Sequence, residues 1–286
     1  MIRSRTLRRQ AAACPPLAMR LGRLAVRALF DEAVLDGKPG LVGPGDSGAH
    51  ADMSLATFYR SIHALRPYFP TLVALGAADA AWSTLRAHGK VAEAAMLRAT
   101  AGVNTHRGAI FHLGLLCAAA GAVAARGGAL MPAAVCAYVR GAYAPHFGSS
   151  TVASHGAVVR MRYGAGGARA EAAGGYRSVR RYALPALRRV LARTQDRERA
   201  CAQALFALVA NVADTNVLWR GGPEGLAFAQ QRAQAFLDGG GALAADWREN
   251  AESVRRDFVA RGLSPGGCAD LLAVTLFLHD LTELAA

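Results

Sequence analysis

Apolar residues recur at helical spacing along nearly the whole chain. Leu17, Leu21, Leu24 and Ala28 lie three or four positions apart, and the arginines between them fall on the opposite face. Similar patterns predict helices at 54–66, 71–88, 90–101, 107–126, 131–143, 151–162, 179–194, 197–218, 224–237, 243–261 and 267–283. No segment alternates as a strand does, and there is no strand–helix–strand rhythm. The pattern predicts an all-α protein, a multi-helix bundle.

Breaks in this pattern indicate how the chain is organised. Residues 38–53 are rich in glycine and proline and are predicted to form a loop. No long linker divides the chain, so we expect one catalytic domain over 16–286, preceded by a basic tail at 1–15. Polar residues gather between the helices, and we expect these functional loops to converge on one cleft.

Composition narrows the classes of partner. The 286 residues carry a formal charge of +13, which suits anionic partners. Aromatic residues are not interleaved with the arginines and no zinc-finger motif occurs, so we expect no nucleic-acid partner. The longest apolar run, 109–125, is short and contains His112, so we read it as a core helix and expect no membrane span. Five widely spaced cysteines without a CxxC motif indicate reduced thiols in a cytoplasmic protein.

The most informative segment is 102–111. Asn104, Thr105, His106 and Arg107 stand together between two glycines, just before a long apolar helix. Glycines allow a ligand to approach the backbone, and the N-terminus of a helix favours an anion. A capping loop with Asn104 or Thr105 as the N-cap explains the segment about as well.

The 38–53 loop holds a second group of polar residues. Lys38 is one of only two lysines, and Ser47, His50 and Asp52 follow it among glycines. Lysine grips phosphate as a point charge, and Asp52 is a candidate ligand for Mg²⁺. The competing interpretation is an exposed surface loop that binds no ligand.

Two further groups carry weaker signals. Arg98 follows Glu93 by five residues, which is off the three- or four-residue spacing of a helical ion pair. Glu93 could therefore face the 104–107 segment; the alternative is a solvated charge on the helix surface. His155 precedes a glycine-rich stretch that ends in Arg169 and Glu171. Such a loop can cradle phosphate with its amides, but its spacing fits no standard phosphate fingerprint.

Two carboxylates interrupt otherwise apolar helices. Asp214 shares a face of the predicted 197–218 helix with Asn211, and Asn216 and Arg220 follow it. A buried aspartate is costly unless it is paired, so a structural salt bridge weighs equally with a catalytic role. Near the C-terminus, Ser264 is a natural N-cap with Pro265 at the first helical position, but capping does not explain Asp270 one turn later.

In order along the chain, these segments resemble the triphosphoribosyl-dephospho-coenzyme A synthase family from about residue 20 to the end. The resemblance rests on KPGLV (38–42), SGAHADM (47–53), TFYRSIHALRPYF (57–69), ATAGVNTHRGAIF (99–111), SHG (154–156), GARAEA (167–172), DTNVLWRGG (214–222) and SPGGCADLLAVTLFLH (264–279). One departure is Arg107, where the family more often has lysine; arginine keeps the positive charge.

The resemblance implies an all-helical enzyme that joins ATP to 3′-dephospho-CoA and releases adenine. The product, 2′-(5″-triphosphoribosyl)-3′-dephospho-CoA, is the precursor of the prosthetic group on the acyl carrier subunit of malonate decarboxylase or citrate lyase. A prosthetic-group transferase is expected to receive it. The stretch SIHALRPYF (61–69) looks more like the malonate decarboxylase branch.

The implied reaction assigns provisional roles. A 2′-hydroxyl displaces adenine at the ribose C1 of ATP, which needs a carboxylate near an oxocarbenium-like centre, a general base, and Mg²⁺ on the triphosphate. The candidate catalytic residues are Asp214, His106 and Asp52, and the candidate Mg²⁺ ligands are Glu93, Asp52 and Asp270. The candidate substrate-binding residues are Lys38, Ser47, His50, Asn104, Thr105, Arg107, His155, Arg169, Glu171, Asn216, Arg220 and Ser264. A hydrolase of nucleotide N-glycosidic bonds and a non-catalytic basic binding protein are the rival interpretations.

Overall fold

Helix follows helix along the chain in the computed structural model, which describes residues 14–148 and 155–284. The helices are α1 (Cys14–Ala33), α2 (Leu55–Leu65), α3 (Tyr68–Ala77), α4 (Trp82–Ala99), α5 (Arg107–Ala125), α6 (Pro132–Tyr138), α7 (His155–Tyr163), α8 (Gly167–Ala173), α9 (Leu184–Thr194), α10 (Arg197–Asn211), α11 (Thr215–Asp238), α12 (Trp247–Ala260) and α13 (Gly266–Glu283). Short π turns (Val139–Tyr143 and Val179–Ala183) and 3₁₀ turns (Ala144–His146 and Gly241–Leu243) link some of them.

The described ranges contain no strand, which confirms the all-α prediction. The loop predicted at 38–53 is also observed, between α1 and α2. Most of the predicted tail at 1–15 lies outside the described residues, and α1 already begins at Cys14.

Helix α5 forms the centre of the protein. It is long and apolar enough to cross a membrane, but 78% of that stretch is buried within the bundle. Leu113, Leu116 and Cys117 are fully enclosed. Among the described residues, the free thiols of Cys117, Cys136, Cys201 and Cys268 are all buried. The apolar run thus serves as a core helix, as its sequence predicts.

Glycines let α3 and α5 pack backbone against backbone. A Cβ added to Gly76 would overlap the carbonyl group of Ala118, and one added to Gly121 would overlap that of Val73. Neither obstacle is a flexible side chain, so the helices themselves would have to separate.

We therefore expect Gly76→Ala to destabilise the protein. The cost should be about 1–3 kcal/mol, as for other overpacked cores, despite the better helix propensity of alanine. Thermal or urea denaturation measures it. Gly89→Ala is the matched control, because the nearest atom to its Cβ would lie at an ordinary 3.6 Å. Equal stability of the two variants would contradict this account of the packing.

Two predicted helix boundaries are wrong. The pattern places helices at 71–88 and 90–101, whereas the chain breaks between α3 and α4. Asp79 adopts a left-handed conformation with φ 54°, and its amide bonds the carbonyl oxygen of Gly76. This is a helix C-terminus closed without the glycine that usually marks one, so the sequence carries no stop signal there.

The predicted helix at 197–218 is two helices. α10 ends at Asn211, and α11 begins at Thr215 and runs on through the predicted 224–237 helix. The intervening Val212 and Ala213 are apolar, so the helical pattern passes through the break. α11 itself kinks at Gly222, which has φ 63° and ψ −164°.

Candidate active site

One cavity of about 1420 Å³ receives residues from the polar segments around residues 50, 105, 170, 215 and 265. Its walls come from α1, α4, α5, α8 and the starts of α11 and α13. Among the residues that line it are Glu32, Lys38, His50, Trp82, Arg86, Lys90, Glu93, Asn104, Thr105, His106, Arg107, Gly108, Phe111, His146, Phe147, Arg160, Arg169, Glu171, Asp214, Asn216, Arg220, Ser264 and Asp270. The predicted cleft therefore exists, and it exceeds the roughly 300–1,000 Å³ of ordinary small-molecule sites.

Asp214 joins the N-termini of two helices. Its Oδ1 accepts hydrogen bonds from the amides of Asn216 (2.8 Å) and Val217 (3.2 Å), and so caps α11. Its Oδ2 accepts one from the amide of Cys268 (2.7 Å), in the first turn of α13. Both oxygens of this buried carboxylate are thus occupied by backbone amides.

The expectation that Asp214 lies inside a helix is wrong, because the chain breaks just before it. Amides at two helix N-termini stabilise its carboxylate, and no arginine forms an ion pair with it in the described part of the chain. Burial nevertheless raises the pKa of Asp214, against the opposing effect of the three amides.

Asp270 caps the third helix that points at the cavity. It lies in the second turn of α13, and a Cβ added to Gly108 would overlap its carboxylate. The amide of Ala109, in the first turn of α5, hydrogen-bonds it. Burial, and then the nearby carboxylates of Glu32 and Asp214, raise the pKa of Asp270 well above its usual range. Such a carboxylate is a stronger base than an exposed aspartate.

Lys38 forms a buried ion pair that the sequence did not indicate. Its Nζ donates to Glu32 Oε1 (2.7 Å), to the carbonyl oxygen of Glu32 (2.6 Å) and to that of Ala33 (3.3 Å). All three protons of the ammonium are thereby used, so the predicted grip on phosphate would require this pair to break. Glu32 was missed because a charge at the end of an amphipathic helix normally faces water.

His106 is buried and lacks a partner for one ring nitrogen. Its Nδ1 lies 2.7 Å from Ser61 Oγ, and its ring packs edge-on against Phe58, whereas Nε2 has no hydrogen-bond partner in the described structure. Burial, and secondarily the charge of Lys38, lower the pKa of His106 to about 3, so the imidazole is neutral at physiological pH. The hydroxyl of Thr105 is also unpaired. Unpaired buried polar groups that line a cavity point to a ligand.

The rest of the 104–107 segment caps and closes the start of α5. The N-cap of α5 is His106, so the expectation that Asn104 or Thr105 takes that position is wrong. Asn104 Oδ1 nevertheless accepts a hydrogen bond from the amide of Arg107 (3.2 Å), the first residue of the helix. The Arg107 guanidinium pairs with Glu93 at 2.6 Å. Glu93 therefore faces this segment, as the sequence suggested, but it does so as the partner of an arginine.

A small network ties the 38–53 loop to the start of α13. His50 Nε2 lies 2.8 Å from Ser264 Oγ, and Arg220 lies 3.2 Å from His50 Nδ1. Arg220 also donates to the carbonyl oxygens of Ala49 (3.0 Å) and Gly262 (2.9 Å). Burial, and then Arg220, lower the pKa of His50. The expectation that Ser264 is an N-cap is wrong, because Pro265 takes that position and the Ser264 hydroxyl faces His50.

Several other predicted site residues lie outside the cavity lining or are hydrogen-bonded to other parts of the protein. Ser47 and Asp52 do not line the cavity, and Asp52 is exposed at 3.8 Å from His50. Glu171 accepts hydrogen bonds from Ser178, and Arg169 donates to the carbonyl oxygen of Gly148. His155 begins α7, but its side chain lies outside the described part of the structure.

The described residues contain no group of three or more side chains that could hold a metal ion. Of the predicted Mg²⁺ ligands, Glu93 holds Arg107, Asp52 lies outside the cavity lining, and Asp270 stands at the N-terminus of α5. A metal in this cavity would take most of its ligands from a substrate or water.

The comparison with known proteins decides the family. The family model for ATP:dephospho-CoA triphosphoribosyl transferase, CitG, matches residues 18–286. The chain belongs to this family. The resemblance drawn from the motifs is thereby confirmed, and the chain is a transferase of this class; the hydrolase and the non-catalytic interpretations are set aside.

Curated relatives are similar over nearly their full length. One from Acinetobacter calcoaceticus is 41% identical over 264 residues, which cover 91% of this chain and 90% of the relative. One from Salmonella gallinarum is 43% identical over 96% of this chain and 94% of its own length, and one from Stutzerimonas stutzeri is 42% identical over 96% of each. Each is named a probable 2-(5''-triphosphoribosyl)-3'-dephosphocoenzyme-A synthase. No solved structure matches the chain.

Proposed function

We propose that Asp270 is the carboxylate that faces the reacting ribose when ATP and 3′-dephospho-CoA are joined in this cavity. The observation that carries this is how the acidic residues of the lining are used. Glu32 is bound to Lys38, Glu93 to Arg107 and Glu171 to Ser178, and both oxygens of Asp214 accept backbone amides. Asp270 accepts from one amide, which leaves lone pairs for a substrate.

The reaction places two demands on this carboxylate. The 2′-oxygen of dephospho-CoA forms a bond to the ribose C1 of ATP, and the bond from that carbon to adenine breaks. The electron pair of the broken bond leaves with adenine, and the proton of the 2′-hydroxyl must be removed. A negative carboxylate stabilises the oxocarbenium-like centre, and a raised pKa suits it to accept the proton.

His106 and Thr105 would contact the same substrate. The neutral imidazole presents Nε2 and the threonine presents its hydroxyl, both without protein partners. A neutral histidine cannot attract phosphate by charge, so we propose that it hydrogen-bonds a sugar hydroxyl or the departing adenine. This role is compatible with the catalytic assignment made from sequence.

We further propose that Mg²⁺ enters the cavity bound to the triphosphate of ATP. Mg²⁺ commonly keeps several waters and is held by substrate phosphates with one or two carboxylates. The scarcity of grouped carboxylates in the described lining supports this arrangement. Chelation of Mg²⁺ should then weaken ATP binding without lowering the melting temperature of the free protein.

One product analysis tests the reaction. Purified protein is incubated with ATP, Mg²⁺ and 3′-dephospho-CoA, and the mixture is separated and weighed by mass spectrometry. A ligated nucleotide together with free adenine supports transfer. Free triphosphoribose would indicate hydrolysis, and the absence of adenine would contradict catalysis altogether.

The pathway and compartment are finer proposals. The SIHALRPYF stretch supports supply to the acyl carrier subunit of malonate decarboxylase through a prosthetic-group transferase. The four free thiols whose side chains the structure describes are buried, which suits a reducing cytoplasm. Deletion of the gene should abolish malonate decarboxylase activity in the native host. Loss of citrate lyase activity instead would place the enzyme in the other branch.

Gly108→Ala tests the position of Asp270 without removing its charge. The new methyl group would overlap the carboxylate and push it from the start of α5. Because a displacement of about 1 Å can cost up to roughly 10²-fold in rate, we expect kcat to fall at least tenfold. Adenine release measures it, and Gly45→Ala is the control, since its Cβ would meet nothing within 4 Å. Unchanged kcat in Gly108→Ala would argue against Asp270 at the reacting centre.

A further inference from the structure

One face of α4 forms a wall of the cavity. Trp82, Arg86, Lys90 and Glu93 follow at intervals of four, four and three residues, which places them in one row along the helix. The row spans about 16 Å at the α-helical rise per residue. Its Glu93 end reaches Arg107 at the start of α5, close to the carboxylates described above. Its Trp82 end belongs to a different part of the cavity.

Four cations without acidic partners surround that second part. Arg86 and Lys90 project from α4, Arg160 from α7 and Arg169 from α8, and all four line the cavity. Within the described residues, none of them has a carboxylate at ion-pair distance; the recorded bond of Arg169 is to a carbonyl oxygen. Burial, and then the charges of Arg160 and Arg86, lower the pKa of Arg169. Like charges thus face one another, which is unfavourable until an anion lies between them.

An aromatic surface lies beside these cations. The Trp82 indole stacks on His146, with ring centroids 5.8 Å apart and planes 15° apart, and it also packs against Phe147 at 5.6 Å. Phe147 in turn packs against Phe111 of α5 at 5.5 Å. All of these rings line the same cavity. A ligand that carries both several negative charges and a flat or apolar portion matches this combination.

We propose that Arg86, Lys90, Arg160 and Arg169 form a subsite for the polyphosphate group of a nucleotide substrate, whose apolar part lies against Trp82 and Phe147. This deepens the proposed function and rests on it, since it names where one substrate is held. The chemistry is shared by the triphosphate of ATP and the pyrophosphate of 3′-dephospho-CoA.

The two lysines of the chain differ in whether they have an acidic partner. Lys38 forms an ion pair with Glu32, whereas Lys90 is exposed, lines the cavity and has no acidic partner in the described chain. Arg86, one helical turn earlier, also lines the cavity and has no acidic partner among the described residues. The subsite therefore gathers cations that the family motifs do not include, apart from Arg169.

Binding measurements test the subsite directly. The probes are ATP with Mg²⁺ and, separately, 3′-dephospho-CoA, titrated calorimetrically into the full-length protein. We expect the Arg86→Gln/Lys90→Gln variant to bind one of the two at least tenfold more weakly, because charge-assisted hydrogen bonds to phosphate are among the strongest that side chains make. Arg160→Gln should weaken the same probe. The probe that responds identifies the source of the polyphosphate.

Arg98→Gln is the matched control, since Arg98 is an exposed arginine of α4 outside the cavity lining. All variants should keep the wild-type melting temperature, because the substituted side chains form no ion pair with any other described residue. The proposal is overturned if the double variant binds both probes as Arg98→Gln does, or if the wild type binds neither. Failure of the transfer reaction is a separate outcome. If the wild type releases no adenine but the substitutions still weaken binding of a probe, the proposed function is overturned and the subsite is retained.

Discussion

Asp270→Asn is expected to lower kcat by roughly 10²-fold or more and to leave the protein as stable as the wild type, or more stable. Asparagine preserves the size of the side chain and can still accept the hydrogen bond from Ala109. It removes the negative charge that we assign to the reacting ribose. Adenine release and thermal denaturation, measured at the same pH, separate the two effects.

The stability part of this prediction follows from the sign of the pKa shift. The folded protein raises the pKa of Asp270, so its contribution to stability is present below the ordinary aspartate pKa and is lost as pH rises through the folded value. Once it is ionised, Asp270 therefore lowers the stability of the folded protein, and asparagine relieves this cost. In the wild type, kcat should fall on acidification at a pH above the usual aspartate range, because the base becomes protonated.

A destabilised but active Asp270→Asn protein would contradict both parts. Asp238→Asn is a suitable control, since Asp238 lies at the end of α11 and contacts Gln234. It should change neither quantity.

Asp214→Ala is expected to give the opposite pattern, a large loss of stability. Three backbone amides at the starts of α11 and α13 lose their acceptor. Loss of an N-cap costs about 0.5–2 kcal/mol, and each buried unpaired donor about 1–3 kcal/mol, so we expect at least about 3 kcal/mol. In a domain of this size, that lowers the melting temperature by roughly 6–12 °C. A wild-type melting temperature would show that these bonds contribute little.

The Asp214→Asn variant separates capping from catalysis. Its oxygen can keep the two bonds to α11, but its amide group would oppose the amide of Cys268, so an intermediate loss of stability is expected. If kcat per folded molecule stays near wild type, Asp214 positions the helices only. If kcat falls 10²-fold with little loss of stability, the catalytic assignment made from sequence is preferred to Asp270.

The sequence was sufficient for the fold class and for most members of the site. Helical periodicity predicted the bundle because each helix must bury one apolar stripe, and this requirement is visible locally. The polar segments around residues 50, 105, 170, 215 and 265 interrupt that periodicity, and all of them contribute to the cavity. Family motifs then supplied the reaction, which no spacing of residues in this chain reveals by itself.

The sequence was less informative about what each polar residue contacts. The rarity of lysine predicts that Lys38 binds phosphate, but its ammonium is paired with Glu32, while Lys90 lines the cavity. The helical pattern runs through Asp214 because the residues at the break before it, Val212 and Ala213, are apolar. Asp79 ends α3 in a left-handed conformation that a non-glycine sequence does not signal.

By itself, then, the sequence determined that this chain is an all-helical member of its family and which segments meet at one cavity. Only the tertiary structure decided which carboxylates and cations are free to act there. The physical reason is that a charged or polar group already paired within the protein is not available to a substrate, and its partner is often far away in sequence. Asp214 accepts a hydrogen bond from the amide of Cys268, His50 contacts Ser264, and Asp270 lies against Gly108. Local patterns report burial, but only packing in three dimensions reports which buried groups are already satisfied.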